Sequence, residues 1–338
     1  MFESAGISLN VATAHLVDCV ALAIVLVAGR ILYRITKGVN LHDQLAVKDN
    51  PAAGVALAAF ILGAGIAISG GTWLTQDVIS RIPMLLTTGG VAVVLMLLSL
   101  FANDKFILYK MNNSKEIFEN RNVAVALVEV GSCIATGLMI SGVFSMTALN
   151  DDIWTTIGFW SLYWLIGQVL LIVGAKLFSL FRFYDVQEEI RQNNAAVGVC
   201  FGGYIAALGF VTFAALSGAG HDVGDEIQTI GVFFAMGLLV LGIIGTLLKK
   251  ALLSSADFDD EIGNQKNAGL ATLMAVCYIT IAVLFSSAIS PANDSVKHEV
   301  LVAKVAPAVD EPATTVASTV ADTKPADTTA APKQATTK

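Results

Sequence analysis

The chain has 338 residues, of which 55% are apolar and 14% charged, with a mean hydropathy of +0.72 and a formal net charge of −7. Soluble domains carry about a quarter charged residues, so this composition excludes a water-soluble globular fold for most of the chain and places it in lipid. No basic tract extends beyond the loops, so nucleic acid is not expected as a partner.

Runs of about 20 apolar residues, enough to cross a hydrocarbon core of roughly 30 Å, fall at 16–35, 52–73, 82–102, 123–146, 153–180, 195–216, 227–248 and 268–289. They are continuously apolar rather than alternating at every second position, which excludes a membrane β-barrel. The opening MFESAGISLN has no basic n-region and no cleavage site precedes the first run, so span one is expected to remain in the mature protein. Beyond Ile289 the composition shifts to Ala, Thr, Pro, Val and Lys, ending PATTVASTVADTKPADTTAAPKQATTK. Such a segment cannot bury a core, and residues 291–338 are expected to be a disordered tail, either a tether to envelope material or a tolerated terminus.

Within these runs the chain repeats itself. Asn50, Asn122, Asn193 and Asn267 recur at intervals of 72, 71 and 74, heading NPAAGVALAAF, NVAVALVEVGS, NNAAVGVCFGG and NAGLATLMAVC; 19 residues further on stand Ser69, Ser141, Thr212 and Ser286. The expected fold is therefore an all-α membrane protein whose eight spans are four copies of one helical hairpin. Two spans per copy give every copy the same orientation, and such parallel repeats surround an axis along the membrane normal. Around that axis the hairpins would form either a channel-like assembly or a closed bundle. Each Asn is expected to cap its helix with its side-chain oxygen, or, in a functional alternative, to join a ring of four carboxamides at a cytoplasmic mouth. The small residues that follow, among them Ala53, Gly54, Ala58, Gly63 and Gly65, and later Gly198, Gly202 and Gly209, permit close backbone approach between helices.

Lys and Arg cluster at the connections between spans one and two, three and four, five and six, and seven and eight, whereas the other three connections hold only Arg81. Short cytoplasmic loops retain such residues, so both termini are expected outside the cytoplasm. Trp73, Trp154, Trp160 and Trp164 then fall in the outer half, at a depth that suits an amphipathic ring. Cys19, Cys133, Cys200 and Cys277 lie within spans without paired spacing, which argues against a disulfide framework or a zinc site; no cofactor is expected.

Glu129 is the acidic residue set well inside a span, about 10 Å beyond Asn122 at 1.5 Å per residue. Asn122, Ala126, Glu129, Cys133 and Thr136 share one helix face. Counting 11 from each repeat Asn gives Ile61, Cys133, Tyr204 and Tyr278, so Glu129, Cys133, Tyr204 and Tyr278 are the candidates for a pathway or proton site on a shared axis. An ionised carboxylate is expensive in lipid, so Glu129 is expected to be neutral and turned towards other helices unless a cation such as Arg30 reaches it.

The hairpin pattern, with a charged connection holding Ile or Leu shortly before Asn and then small residues, resembles the bacterial family of domain of unknown function 350 (YjfL-type, UPF0719-like). DNPAAGVALAAFILGAGIAISGG at 49–71 and QNNAAVGVCFGGYIAALGF at 192–210 carry the likeness; KNAGLA at the fourth hairpin departs from it. A usual member resembles half of this chain, which makes residues 1–148 and 149–290 two tandem four-span units. The resemblance implies a prokaryotic inner-membrane protein, and it implies no substrate or reaction. HExxH, Walker and GxSxG motifs are absent from the sequence, so an enzyme is not expected. Two classes follow: a channel-like or transporter-like component for a small ion or solute, or a non-conducting scaffold in envelope maintenance. Beyond the lipid bilayer, the partners to be weighed are a second copy of the chain and an envelope protein.

Overall fold

A computed structural model describes residues 9–71, 78–146, 152–217, 223–252 and 257–305. Trp73 and residues 306–338 of the expected tail lie outside the described residues. Every described element is helical. Among the described residues eight helices are long and apolar enough to cross a membrane: α1 (Leu9–Lys37), α2 (Pro51–Ser69), α3 (Val78–Phe106), α5 (Val123–Met146), α6 (Ile153–Leu180), α8 (Ala195–Ser217), α9 (Val223–Leu252) and α10 (Ala268–Val305). Short helices α4 (Asn113–Phe118) and α7 (Val186–Arg191), and π-helical turns at Asp43–Val47 and Asp260–Asn264, fill the connections that lead into α2, α5, α8 and α10. Helix is the form these runs must take, because in lipid each backbone N–H and C=O needs a partner within its own segment.

Residues Met1–Ser295 make one compact unit and Val296–Lys338 a second, of which the described part is the final stretch of α10. Helix α10 thus continues past Ile289, where the last apolar run ends, as far as Val305.

The compact unit has two layers. Its inner layer is a row, α2 against α5, α5 against α8, and α8 against α10, made of the four Asn-headed spans. Glycine sets the spacing of this row: a Cβ on Gly131 or Gly202 would run into the backbone carbonyl of the facing helix, Gly202 and Leu127 respectively, and one on Gly203 would meet Ala275. Backbones in such contact gain dispersion energy that lipid cannot supply to bulkier faces. Helices α1, α3, α6 and α9 form the outer layer. Burial is greatest at the centre of the row, at 72% and 78% of the span window in α5 and α8, and least in the outer α1 and α9, at 28% each. The expected arrangement around a common axis is therefore replaced by a row: α5 and α8 each pack on an inner helix to either side, α2 and α10 end the row, and the heaviest packing, α5 on α8, joins the two tandem halves.

Candidate functional site

At the end of the bundle where the inner helices begin, one loop is built four times. Asp49, Arg121, Asn193 and Lys266 adopt left-handed φ values of 46°, 53°, 60° and 57°, and the residue after each is the Asn that starts an inner helix. The third of these is Asn194, which corrects the sequence reading: Asn193 supplies the left-handed turn, and Asn194 Oδ1 accepts from the N–H groups of Ala196 and Val197. Asn tolerates the left-handed region better than most residues, so two adjacent Asn suited the two positions equally well in sequence. Asn50, Asn122 and Asn267 cap in the same way, accepting from Ala52 and Ala53, from Val125, and from Leu270. Measured from Asn194, Tyr204 is ten residues on and so is not equivalent to Cys133 and Tyr278.

Sequence reading overlooked an acceptor that recurs with each Asn. Gln44, Glu116, Glu189 and Glu261 each accept the backbone N–H of their own Asn through a main-chain carbonyl and its Nδ2 through a side-chain oxygen, at 2.8–3.2 Å. The signal was present as Gln-Leu or Glu-Ile shortly before each Asn. The second Nδ2 hydrogen reaches into the next copy: Asn50 donates to the Ile117 carbonyl at 2.9 Å, Asn122 to Ile190 at 2.9 Å, and Asn194 to Ile262 at 3.2 Å and Gly263 at 2.9 Å. Across the same layer Lys110 Nζ lies 2.6 Å from Asp185 Oδ2, and that hydrogen bond holds the Asp185 carboxyl below its ordinary range. Three of the four carboxamides, Asn50, Asn122 and Asn194, thus lie along the row as links between copies, and among the described residues Asn267 bonds only within its own loop; the four do not converge on a mouth.

Beneath this layer Glu129 is buried in α5. The Tyr33 hydroxyl donates to Glu129 Oε1 at 3.2 Å, and Lys37 Nζ stands 3.9 Å from the same oxygen. Lys37 also pairs with Asp104 at 3.2 Å, whose other oxygen accepts from Asn113 Nδ2 at 2.7 Å. The cation beside Glu129 is therefore Lys37, at the end of α1; Arg30, the partner considered from sequence, is exposed on that helix. Among the described residues, Glu129 Oε2 and Asn113 Oδ1 find no hydrogen-bond partner. Both residues line a cavity of about 10 Å³, together with Asn103, Asp104 and Ser132, which is room for about one water. Two acids and one base meet here, so the cluster is one positive charge short when all three are ionised.

The remaining candidates separate. Cys133 is a buried free thiol one turn beyond Glu129. Tyr204 and Tyr278 meet each other edge to face, with ring centroids 5.3 Å apart, in the second half. Among the described residues no hydrogen bond or ring contact joins either tyrosine to Glu129. Their surroundings form a counterpart cluster: Arg182 pairs with Asp259 at 2.9 Å, donates to the Tyr278 hydroxyl at 3.0 Å and stacks over Phe178 at 4.2 Å. Arg182 stands 145 residues after Lys37, as Phe178 does after Tyr33. Here Asp259 answers Arg182, and Met274 occupies the place of Glu129. Among the described residues no group of His, Cys, Asp and Glu is arranged to hold a metal ion.

The model of the family described as Domain of Unknown Function (DUF350) matches residues 7–144 and again residues 152–289, an offset of 145 that is also the offset between the two clusters. A similar protein is the UPF0719 transmembrane protein of Aquifex aeolicus (strain VF5), 24% identical over 202 residues, which cover 59% of this chain and 71% of that protein. No solved structure matches the chain.

Proposed function

We propose that this chain, which belongs to the DUF350 family and carries two tandem copies of its domain, is a bacterial inner-membrane component that handles a proton or another small cation at Glu129. The observation that carries this reading is the unpartnered Glu129 Oε2 on a water-sized cavity, in a cluster lacking one positive charge. A buried carboxylate in that state gains most from a proton or small cation, since its bare charge is costly away from water. Transport in this reading is transporter-like, because a cavity of about 10 Å³ is too small for an open pore. Purified protein in sealed liposomes should show cation- or pH-driven flux that Glu129→Gln abolishes while the variant still folds; absence of flux in the parent would remove the reading.

The tight inner row supports a second reading, a non-conducting scaffold that docks an envelope protein. A stoichiometric partner recovered from a preparation without flux would favour it. In both readings the protein is not an enzyme, and the Asn-headed end faces the cytoplasm with both termini outside, as the Lys/Arg bias argues. Cysteines introduced at Asn120, Asp151 and Ala331 should be labelled by an impermeant thiol reagent from inside, outside and outside respectively. Labelling of Ala331→Cys from the cytoplasm would reverse the orientation.

A further inference from the structure

We infer that the row of repeats continues between molecules: α10 of one copy docks on α2 of a second copy of this chain, head to tail, reusing the contact that α2 makes with α5 and α5 with α8. Each internal junction has two parts. One is the second Nδ2 hydrogen of the repeat Asn, given to the carbonyl of the Ile that follows Glu in the next copy. The other is a small-residue face at positions 4, 8 and 15 after the Asn, turned to the preceding helix; Gly198, Gly202 and Gly209 press in this way on Ala124, Leu127 and Ala135, and Gly137 presses on Gly63.

Both halves of that junction are open at the ends of the chain. At the far end Asn267 is exposed, and among the described residues its Nδ2 donates only to Glu261 of its own loop. Thr272, Val276, Thr280 and Ser287, which continue the successor-facing side of the row, are exposed along α10. At the near end no side chain among the described residues donates to the carbonyl of Leu45, the counterpart of Ile117, Ile190 and Ile262. Leu45 is half-buried, whereas those three are 0%, 0% and 1% exposed. Gly54, Ala58 and Gly65 hold positions 4, 8 and 15 of α2; Ala58 is exposed and a Cβ on Gly65 would meet nothing within 4 Å.

The two faces are complementary to each other because each is a copy of a face already paired inside the molecule. Such a junction is heterologous, and it closes into a ring or extends as a filament according to the rotation per repeat. The occupant is fixed as a second copy by this continuity: lipid can cover the apolar stripe, but only another copy brings the carboxamide and the small-residue face together in the register used inside the molecule.

Gly131, nine residues after Asn122, faces Gly202, eight after Asn194. The equivalent pair across the proposed junction is Val276 and Ala58. In a background carrying Cys19→Ser and Cys277→Ser, the double variant Ala58→Cys/Val276→Cys in native membranes should give a ladder of disulfide-linked multimers under oxidant, and neither single variant should give any. Native mass spectrometry of the parent from lipid nanodiscs should show more than one copy. Ala58→Trp should reduce this to one copy with an unchanged thermal midpoint, since the site faces outward in the single molecule. A single-copy parent, or an Ala58→Cys single variant that links to itself, would overturn the inference.

Discussion

Asn122 donates a side-chain N–H to the carbonyl of Ile190, 68 residues further on and in the other tandem half, at 2.9 Å. The two halves are thereby joined by the same bond that joins copies within each half. A helix cap has become the link between repeats, because a carboxamide offers an oxygen for its own helix and two hydrogens for neighbours.

The first prediction ranks the four Asn. Asn50→Ala, Asn122→Ala and Asn194→Ala each remove a cap and strand a buried carbonyl of the next copy, and should cost about 2–3 kcal/mol. Asn267→Ala removes an exposed cap alone and should cost about 1 kcal/mol. Thermal unfolding in one detergent compares the set; equal losses at Asn267 and Asn122 would show that the inter-repeat bond contributes nothing.

The second prediction concerns the charge cluster. Lys37→Met leaves the buried Glu129 and the partly exposed Asp104 without their cation and should destabilise by about 3–5 kcal/mol. Adding Glu129→Gln should recover part of that loss, because one uncompensated charge disappears while Tyr33 keeps an oxygen to bond. A double-mutant cycle reads the coupling; additive losses would place Lys37 and Glu129 in separate roles.

The third prediction is a pH dependence outside the spans. The Lys110 hydrogen bond holds Asp185 below the ordinary carboxylate range, so the native state binds this proton less readily than the unfolded chain. The resulting stability is fully present above about pH 4 and is lost as pH falls through the depressed native value. Asp185→Asn should flatten the acid limb of the unfolding midpoint below about pH 4, by a small amount because both side chains are half exposed. An unchanged limb would assign the acid sensitivity to other carboxylates.

The fourth prediction contrasts two glycines. A Cβ at Gly131 would meet the backbone of Gly202, which cannot rotate away, whereas one at Gly90 would meet nothing within 4 Å. Gly131→Val should therefore prevent correct assembly of the inner row, costing more than the roughly 1–3 kcal/mol typical of overpacking against movable side chains. Gly90→Val should be near neutral. Monodispersity after extraction separates the two, and equal behaviour would argue against backbone contact in the row.

Hydropathy alone determined the eight spans, because a bilayer admits few ways to satisfy a backbone and each needs about 20 apolar residues. Self-similarity determined the four hairpins and placed three of the four capping Asn, since the cap is a local device tied to its helix by two or three residues. The third cap shifted from Asn193 to Asn194 because its loop is one residue shorter: the cap's N–H returns to the carbonyl five residues back, where the other three loops span six. That spacing depends on backbone hydrogen bonds, which one letter in a pair of Asn does not specify.

Only tertiary structure decided where the repeats go. Parallel copies are equally consistent with a ring and with a row, and the choice rests on which helix face the glycines occupy against which carbonyl, as at Gly131 with Gly202 and Gly63 with Cys133. The partner of Glu129 was likewise out of reach of local pattern. Lys37 stands 92 positions before it and Tyr33 96, and their meeting depends on how the end of α1 leans on α5, a consequence of packing between layers that no spacing along one helix encodes.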